Sequence, residues 1–89
     1  MEYGRIVVTR GVADEMDESP LFAGEVAAAY DRYHRKDWGE LSQEDKELND
    51  QAIGAGERIL AAYKTSKGKI WIITERDRSV TTILFPGEY

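Results

Sequence analysis

The sequence predicts an α+β domain in which an N-terminal strand and two main helices precede a three-stranded antiparallel meander. Three observations carry this expectation. Phe22, Val26, Ala29, Tyr30 and Tyr33 fall at i, i+4, i+7, i+8 and i+11, which is one face of an amphipathic helix. From Arg58 onward the apolar period changes from about 3.6 to about 2, the spacing of strands. A short β-branched run, Ile6-Val7-Val8-Thr9, stands alone near the start.

That run predicts a first strand over Gly4 to Arg10, closed by Gly11. Val12 to Glu18 is long enough for one helical turn, with Asp14, Glu15, Asp17 and Glu18 toward water. Ser19-Pro20 then reads as an N-cap followed by proline at the first helical position, where a missing N–H costs nothing. The helix it opens is expected to end near His34 to Lys36, side chains that suit the negative end of a helix. Asp37 to Leu41 connects to a second helix, which starts with a capping pair of Ser42 and Asp45 and stops at Gly54 or Gly56. Its apolar face is thin: Leu48, Ala52 and Ile53.

Three strand-like runs follow, Arg58 to Thr65, Lys69 to Glu75 and Ser79 to Phe85. Ser66-Lys67-Gly68 joins the first pair, with Gly68 supplying a positive φ, and Arg76-Asp77-Arg78 joins the second. Ile70 and Ile72 alternate with Trp71 and Ile73, so the middle strand is apolar on both faces. Something must cover its second face, and Pro86-Gly87 ends the sheet.

The 89 residues fit a single domain, 1–89. No cysteine is present, which excludes a disulfide framework and thiolate metal sites. Met1 to Arg5 lacks the apolar run of a signal peptide, and no stretch approaches the roughly 20 apolar residues of a bilayer span. A cytoplasmic protein without a membrane segment is expected. The net charge of −5 is unevenly placed. Residues 1–57 hold 14 acids and 6 bases, whereas residues 58–89 hold 6 bases and 3 acids. This acidity argues against nucleic acid as a partner, because such binding needs phosphate neutralisation. An acidic face instead suits docking on another protein.

The chemistry-bearing signatures are few. His34 is the one histidine, too little for a transition-metal site. The sequence contains no Walker loop, zinc-protease helix or nucleophile elbow, and no metal or cofactor is expected. The charged tip Thr74-Glu75-Arg76-Asp77-Arg78-Ser79 has two readings. It is a solvated turn, or an Arg-rich surface whose Glu75 and Asp77 orient guanidinium groups toward an anionic partner. Trp38 is either a lid on the core or an exposed anchor. The candidate binding residues are therefore Asp37, Trp38, Arg58, Glu75, Arg76, Asp77 and Arg78.

Several of these residues also carry a resemblance. Gly4 to Thr9, Asp37-Trp38-Gly39, Asn49-Asp50, Arg58 to Tyr63, the run Trp71 to Ser79 and Pro86 to Tyr89 resemble a group of small bacterial proteins. These are common on plasmids and other mobile elements, and are labelled plasmid-related or type I restriction subunit M. Arg76 stands where that pattern usually has alanine, and Gly87 where it has glutamate. The resemblance implies a mobile-element protein and brings no enzymatic activity with it. A restriction subunit of this size is implausible, so the label fits inheritance from gene neighbours.

The first expectation is thus a non-enzymatic protein-binding or regulatory factor, an anti-defence role included. A second is a small endoribonuclease toxin, since helices followed by an antiparallel sheet resemble the RelE arrangement. Arg58, Tyr63, Glu75, Arg78 and His34 would supply its acid–base and phosphate-stabilising groups. A third is a homodimeric structural protein, because a small sheet leaves an edge to be covered.

Overall fold

The structure, a computed structural model, describes residues 1–89. The first β-branched run forms β1 (Arg5–Val8), shorter than expected because the chain turns into a helix at once. Gly11 does not close the strand; it lies inside α1 (Arg10–Glu18), a helix of nine residues rather than one turn. Thr9 caps nothing with its own side chain. The carboxylate of Glu88 does so instead, accepting from Thr9 Oγ1 at 2.6 Å and Gly11 N at 3.0 Å. A Cβ on Gly11 would lie 2.5 Å from that carboxylate, so a larger residue here would displace the end of the Glu88 side chain.

Ser19 accepts from the Phe22 amide at 3.1 Å and opens α2 (Pro20–His34). This helix ends at Lys36, which adopts φ 61. Lys36 N donates to Tyr33 O and Asp37 N to Arg32 O, the two bonds of a Schellman ending with lysine where glycine is usual. Ser42 accepts from Asp45 N at 3.1 Å and opens α3 (Gln43–Ala55), which stops at the left-handed Gly56. Here the expected apolar face is corrected. Ala52 is buried and Ile53 packs against the core as expected, but Leu48 is 54% exposed and Asn49 is buried in its place. Asn49 turns inward because Nδ2 donates to Leu60 O at 2.9 Å, capping the rim of the sheet with an amide.

The last third forms β2 (Ile59–Thr65), β3 (Gly68–Thr74) and β4 (Val80–Leu84), then a 3₁₀ turn at Pro86–Glu88. These strands pair antiparallel in sequence order, but the sheet is not limited to them. β1 pairs parallel with β4, Arg5 beside Val80 and Val8 beside Ile83. The sheet is therefore four-stranded and mixed, ordered β1-β4-β3-β2, with three helices rather than two. Strand alternation reveals which residues share a face, and it carries no information on which edge a distant strand joins.

All three helices pack on one face. Ile59, Ala61, Tyr63, Ile70, Ile72 and Ile83 point into them, against Val12, Phe22, Val26, Tyr33 and Trp38. Each large apolar side chain so buried contributes about 1.5–3 kcal/mol. The β2–β3 turn is tied to the helices as well. Ser66 donates N–H and Oγ to Glu25, the latter at 2.6 Å, and Lys67 pairs with Glu15 at 3.4 Å.

Inside this core four elements share a line of hydroxyls. Tyr33 Oη lies 2.6 Å from Thr74 Oγ1, which lies 2.8 Å from Thr81 Oγ1, and Thr81 donates to Tyr3 O at 2.6 Å. A hydroxyl has one proton, so the carbonyl at the end fixes every direction: Tyr33 donates to Thr74, and Thr74 to Thr81. Burial pushes the Tyr33 phenol up to about 12, so it remains a donor across the physiological range.

Removing the first donor, Tyr33→Phe, is expected to lower unfolding free energy by about 1 kcal/mol. Thr81→Val leaves the Thr74 proton without an acceptor and the Tyr3 carbonyl without its donor and is expected to cost about 2–3 kcal/mol, with Thr81→Ser largely restored; urea titration measures all three. The hydrogen bond from Thr9, with those of two backbone amides, holds the Glu88 carboxyl below the usual carboxylate range. A depressed pKa contributes stability above the unfolded value that is lost as pH falls through the folded one. Glu88→Gln should therefore melt earlier than the parent at neutral pH, and the difference should shrink on acidification below the usual carboxylate range.

Candidate functional site

The seven candidate residues fall into two groups at different places on the sheet. Asp37 and Trp38 lie along the outer rim of β2, where Glu40 N donates to Ala62 O at 2.7 Å and Ala62 N to Trp38 O at 3.3 Å. Gly39 makes this approach possible: at φ 77, a Cβ there would sit 2.0 Å from Ala62 O. Trp38 is buried, edge-on to Tyr33, and donates Nε1–H to Asp50 at 2.9 Å; it is a core residue, not an exposed anchor. Asp37 receives Arg32 Nε at 2.7 Å and Nη2 at 3.2 Å, as well as Gly39 N at 3.1 Å. The Arg32 hydrogen bond holds its carboxyl below the usual carboxylate range.

The second group lies at the β3–β4 turn and the start of β2. Arg78 takes φ 61, a conformation costing a non-glycine residue roughly 1 kcal/mol. In exchange its guanidinium reaches three backbone carbonyls, Glu57 O at 2.7 Å, Glu75 O at 3.1 Å and Ala52 O at 3.1 Å. Ala52 lies in the last turn of α3, so Arg78 caps the negative end of that helix. Asp77 accepts Ser79 N at 3.0 Å and Ser79 Oγ at 2.6 Å, closing the turn. Arg76 and Glu57 form an exposed ion pair at 2.7 Å. The charged tip is therefore largely committed to its own chain. A hollow of about 280 Å³ beside it runs from Leu48 to Arg58 along the end of α3.

Arg58 leads to the other face of the sheet, the one no helix covers. β2 and β3 place Leu60, Ala62 and Lys64 beside Ile73, Trp71 and Lys69 on this side. Tyr89 folds back over it from the 3₁₀ turn, its ring edge-on to Trp71 with centroids 5.8 Å apart. The Arg58 guanidinium stacks on Tyr89 at 5.3 Å and donates to its hydroxyl. Tyr89 is 68% exposed and divides the face in two. Over β2 and β3 lies a strip with Trp71, Lys64, Lys69 and Arg58. Over β3 and β4 lies a hollow of about 230 Å³ with Ile73, Thr82 and Leu84 inside, and Glu75 and Glu88 at its margin.

Lys64 and Lys69 are direct cross-strand partners. Both are exposed, and neither belongs to an ion pair. Their Cβ atoms stand only about 5 Å apart, and like charges on directly opposite residues disfavour the hairpin. The hairpin therefore carries an uncompensated pair of positive charges next to an accessible aromatic.

The endoribonuclease set does not assemble. Tyr63 points into the helical core and donates to Asp37 O at 2.8 Å, while Arg58 occupies the opposite face. Burial raises the Tyr63 phenol well above its ordinary value. His34 stacks on Tyr3 with centroids 4.1 Å apart, and Arg78 is occupied by carbonyls. No cluster of three or more acidic or histidine side chains is placed to hold a metal ion.

Comparison with known protein families, curated proteins and solved structures finds no match to this chain. The residues that sequence reasoning missed are Lys64, Lys69 and Tyr89. The first two had a signal: they lie symmetrically about Ser66-Lys67, so a two-residue turn makes them cross-strand partners. Tyr89 had none, because its position depends on the 3₁₀ turn folding back.

Arg78→Ala is expected to lower stability by about 2–3 kcal/mol by stranding three carbonyls, and Arg78→Gly by about 1 kcal/mol less because the left-handed conformation becomes free. Arg76→Ala should stay within about 0.5 kcal/mol of the parent, as for other exposed pairs. Chemical denaturation of the three variants separates a structural arginine from a solvated one.

Proposed function

We propose that this chain is a non-enzymatic protein-binding module that docks an acidic segment of a partner protein on the helix-free strip of its sheet. The observation that carries it is the Lys64–Lys69 pair beside Trp71: two unpaired like charges held directly opposite each other at some cost to the hairpin. An acidic segment would remove that repulsion on binding, and the Trp71–Tyr89 pair supplies the apolar contact that interface centres favour. The scattering of the candidate acid–base groups favours binding over catalysis. The resemblance to plasmid-borne bacterial proteins supports a regulatory role in the bacterial cytoplasm, and no helix is long and apolar enough to cross a membrane. A protein suits the strip better than a nucleic acid does. Only three cations, Arg58, Lys64 and Lys69, line it, too few to neutralise the closely spaced phosphates of a nucleic-acid backbone.

The decisive variant is Lys64→Glu, which places opposite charges across the hairpin. It should stabilise the fold by about 0.2–1 kcal/mol while weakening binding of an oligoglutamate peptide about tenfold or more. Trp71 fluorescence and amide shifts at Lys64, Lys69 and Trp71 report the binding, which should fade as salt rises. Oligothymidylate bound in preference to the peptide, or neither ligand perturbing these residues, overturns the proposal.

A further inference from the structure

The two edges of the sheet are treated differently. The outer rim of β2 is occupied by Trp38 to Glu40 and by the Asn49 amide, whereas nothing lies against β1. Arg5 N donates to Ser79 O and Thr9 N to Ile83 O, both at 3.0 Å. Residues 5, 7 and 9 thus turn their peptide groups toward β4, and Ile6 and Val8 turn theirs outward. Their side chains are 43% and 39% exposed, among the few large apolar groups that are. Proline, a bulge or an inward charge would normally guard such an edge, and β1 has none of them.

We infer that this edge pairs with β1 of a second copy of the chain, antiparallel about a two-fold axis at Val7. In that register Ile6 lies opposite Val8 of the second copy, and Val8 opposite its Ile6. Both are hydrogen-bonded pairs, so every outward N–H and C=O of the two residues finds a partner. The exposed apolar side chains meet in cross-strand pairs on the helical side of the sheet.

Charge selects the same register. Arg5 stands opposite Thr9 of the second copy, since Thr9 continues the extended strand at φ −70 and ψ 163. The Thr9 hydroxyl holds the Glu88 carboxylate at 2.6 Å. Arg5 is exposed and forms no ion pair in its own chain, and its long side chain reaches that carboxylate across the axis. The symmetry makes this contact twice. The product is one continuous eight-stranded sheet, ordered β2-β3-β4-β1 and then the same strands reversed, with both helix-free strips on one side. A strand of four residues buries little area, so the dimer is a weak, concentration-dependent one.

Hydrogen exchange on the intact chain tests this without altering the fold. The Ile6 and Val8 amides should gain protection as concentration rises from about 10 µM to about 1 mM, the range of weak association. Arg5 and Val7, already bonded to β4, should stay protected throughout. Sedimentation equilibrium should show a monomer–dimer equilibrium over the same range. Arg5→Glu, which sets a carboxylate beside Glu88 of the second copy, should weaken it about tenfold at unchanged melting temperature. A monomer at every concentration overturns the inference. So does a dimer whose Ile6 and Val8 amides remain open or whose affinity ignores Arg5→Glu.

Discussion

The line of hydroxyls from Tyr33 to the Tyr3 carbonyl is the constraint around which the rest of the domain is arranged. It joins α2, β3, β4 and the segment before β1 through groups that each have a single proton to give. A register slip of one residue in β3 or β4 would turn Thr74 or Thr81 to the other face and leave buried polar groups without partners. Apolar packing rewards many arrangements of similar volume; the hydroxyl line is satisfied by one. It specifies which strand neighbours which as well as how tightly they pack.

The residues that stand out in the sequence are mostly explained by such local obligations. Asp37 receives the Arg32 guanidinium, Trp38 fills the core and hydrogen-bonds Asp50, and Gly39 fits under the Ala62 carbonyl. Along Trp71 to Ser79, Thr74 belongs to the hydroxyl line, Asp77 closes the turn and Arg78 caps α3. A long distinctive run thus serves architecture first. The helix over Phe22 to Tyr33 and the three C-terminal strands were legible because period and turn chemistry are local properties. The pairing of β1 with β4 and the extension of α1 over Arg10 and Gly11 were not, because each depends on a residue more than seventy positions away. The Arg78 cap was hidden for another reason. Its role depends on a left-handed backbone that composition gives no reason to expect of an arginine.

What the fold leaves unsatisfied is as informative as what it satisfies. Three cations near the helices found acidic partners: Arg32 with Asp37, Arg35 with Asp31, Lys67 with Glu15. On the helix-free side Lys64 and Lys69 did not, and at the β1 edge neither did Arg5. The acidic helical side and the cationic strip are therefore separated by the thickness of one sheet. A molecule organised in this way presents opposite charges in opposite directions and orients itself in the field of whatever it approaches.

The Glu88 carboxylate completes the first helix from the far end of the sequence, and β4 is the one neighbour that β1 has within the chain. During synthesis, at about 5–20 residues per second, the opening strand therefore emerges with nothing to pair against. It waits while the helices and the β2–β3 hairpin form from contacts close in sequence. β1 is thus made well before the one strand it pairs with, and its inward-facing peptide groups stay unpaired in the interval.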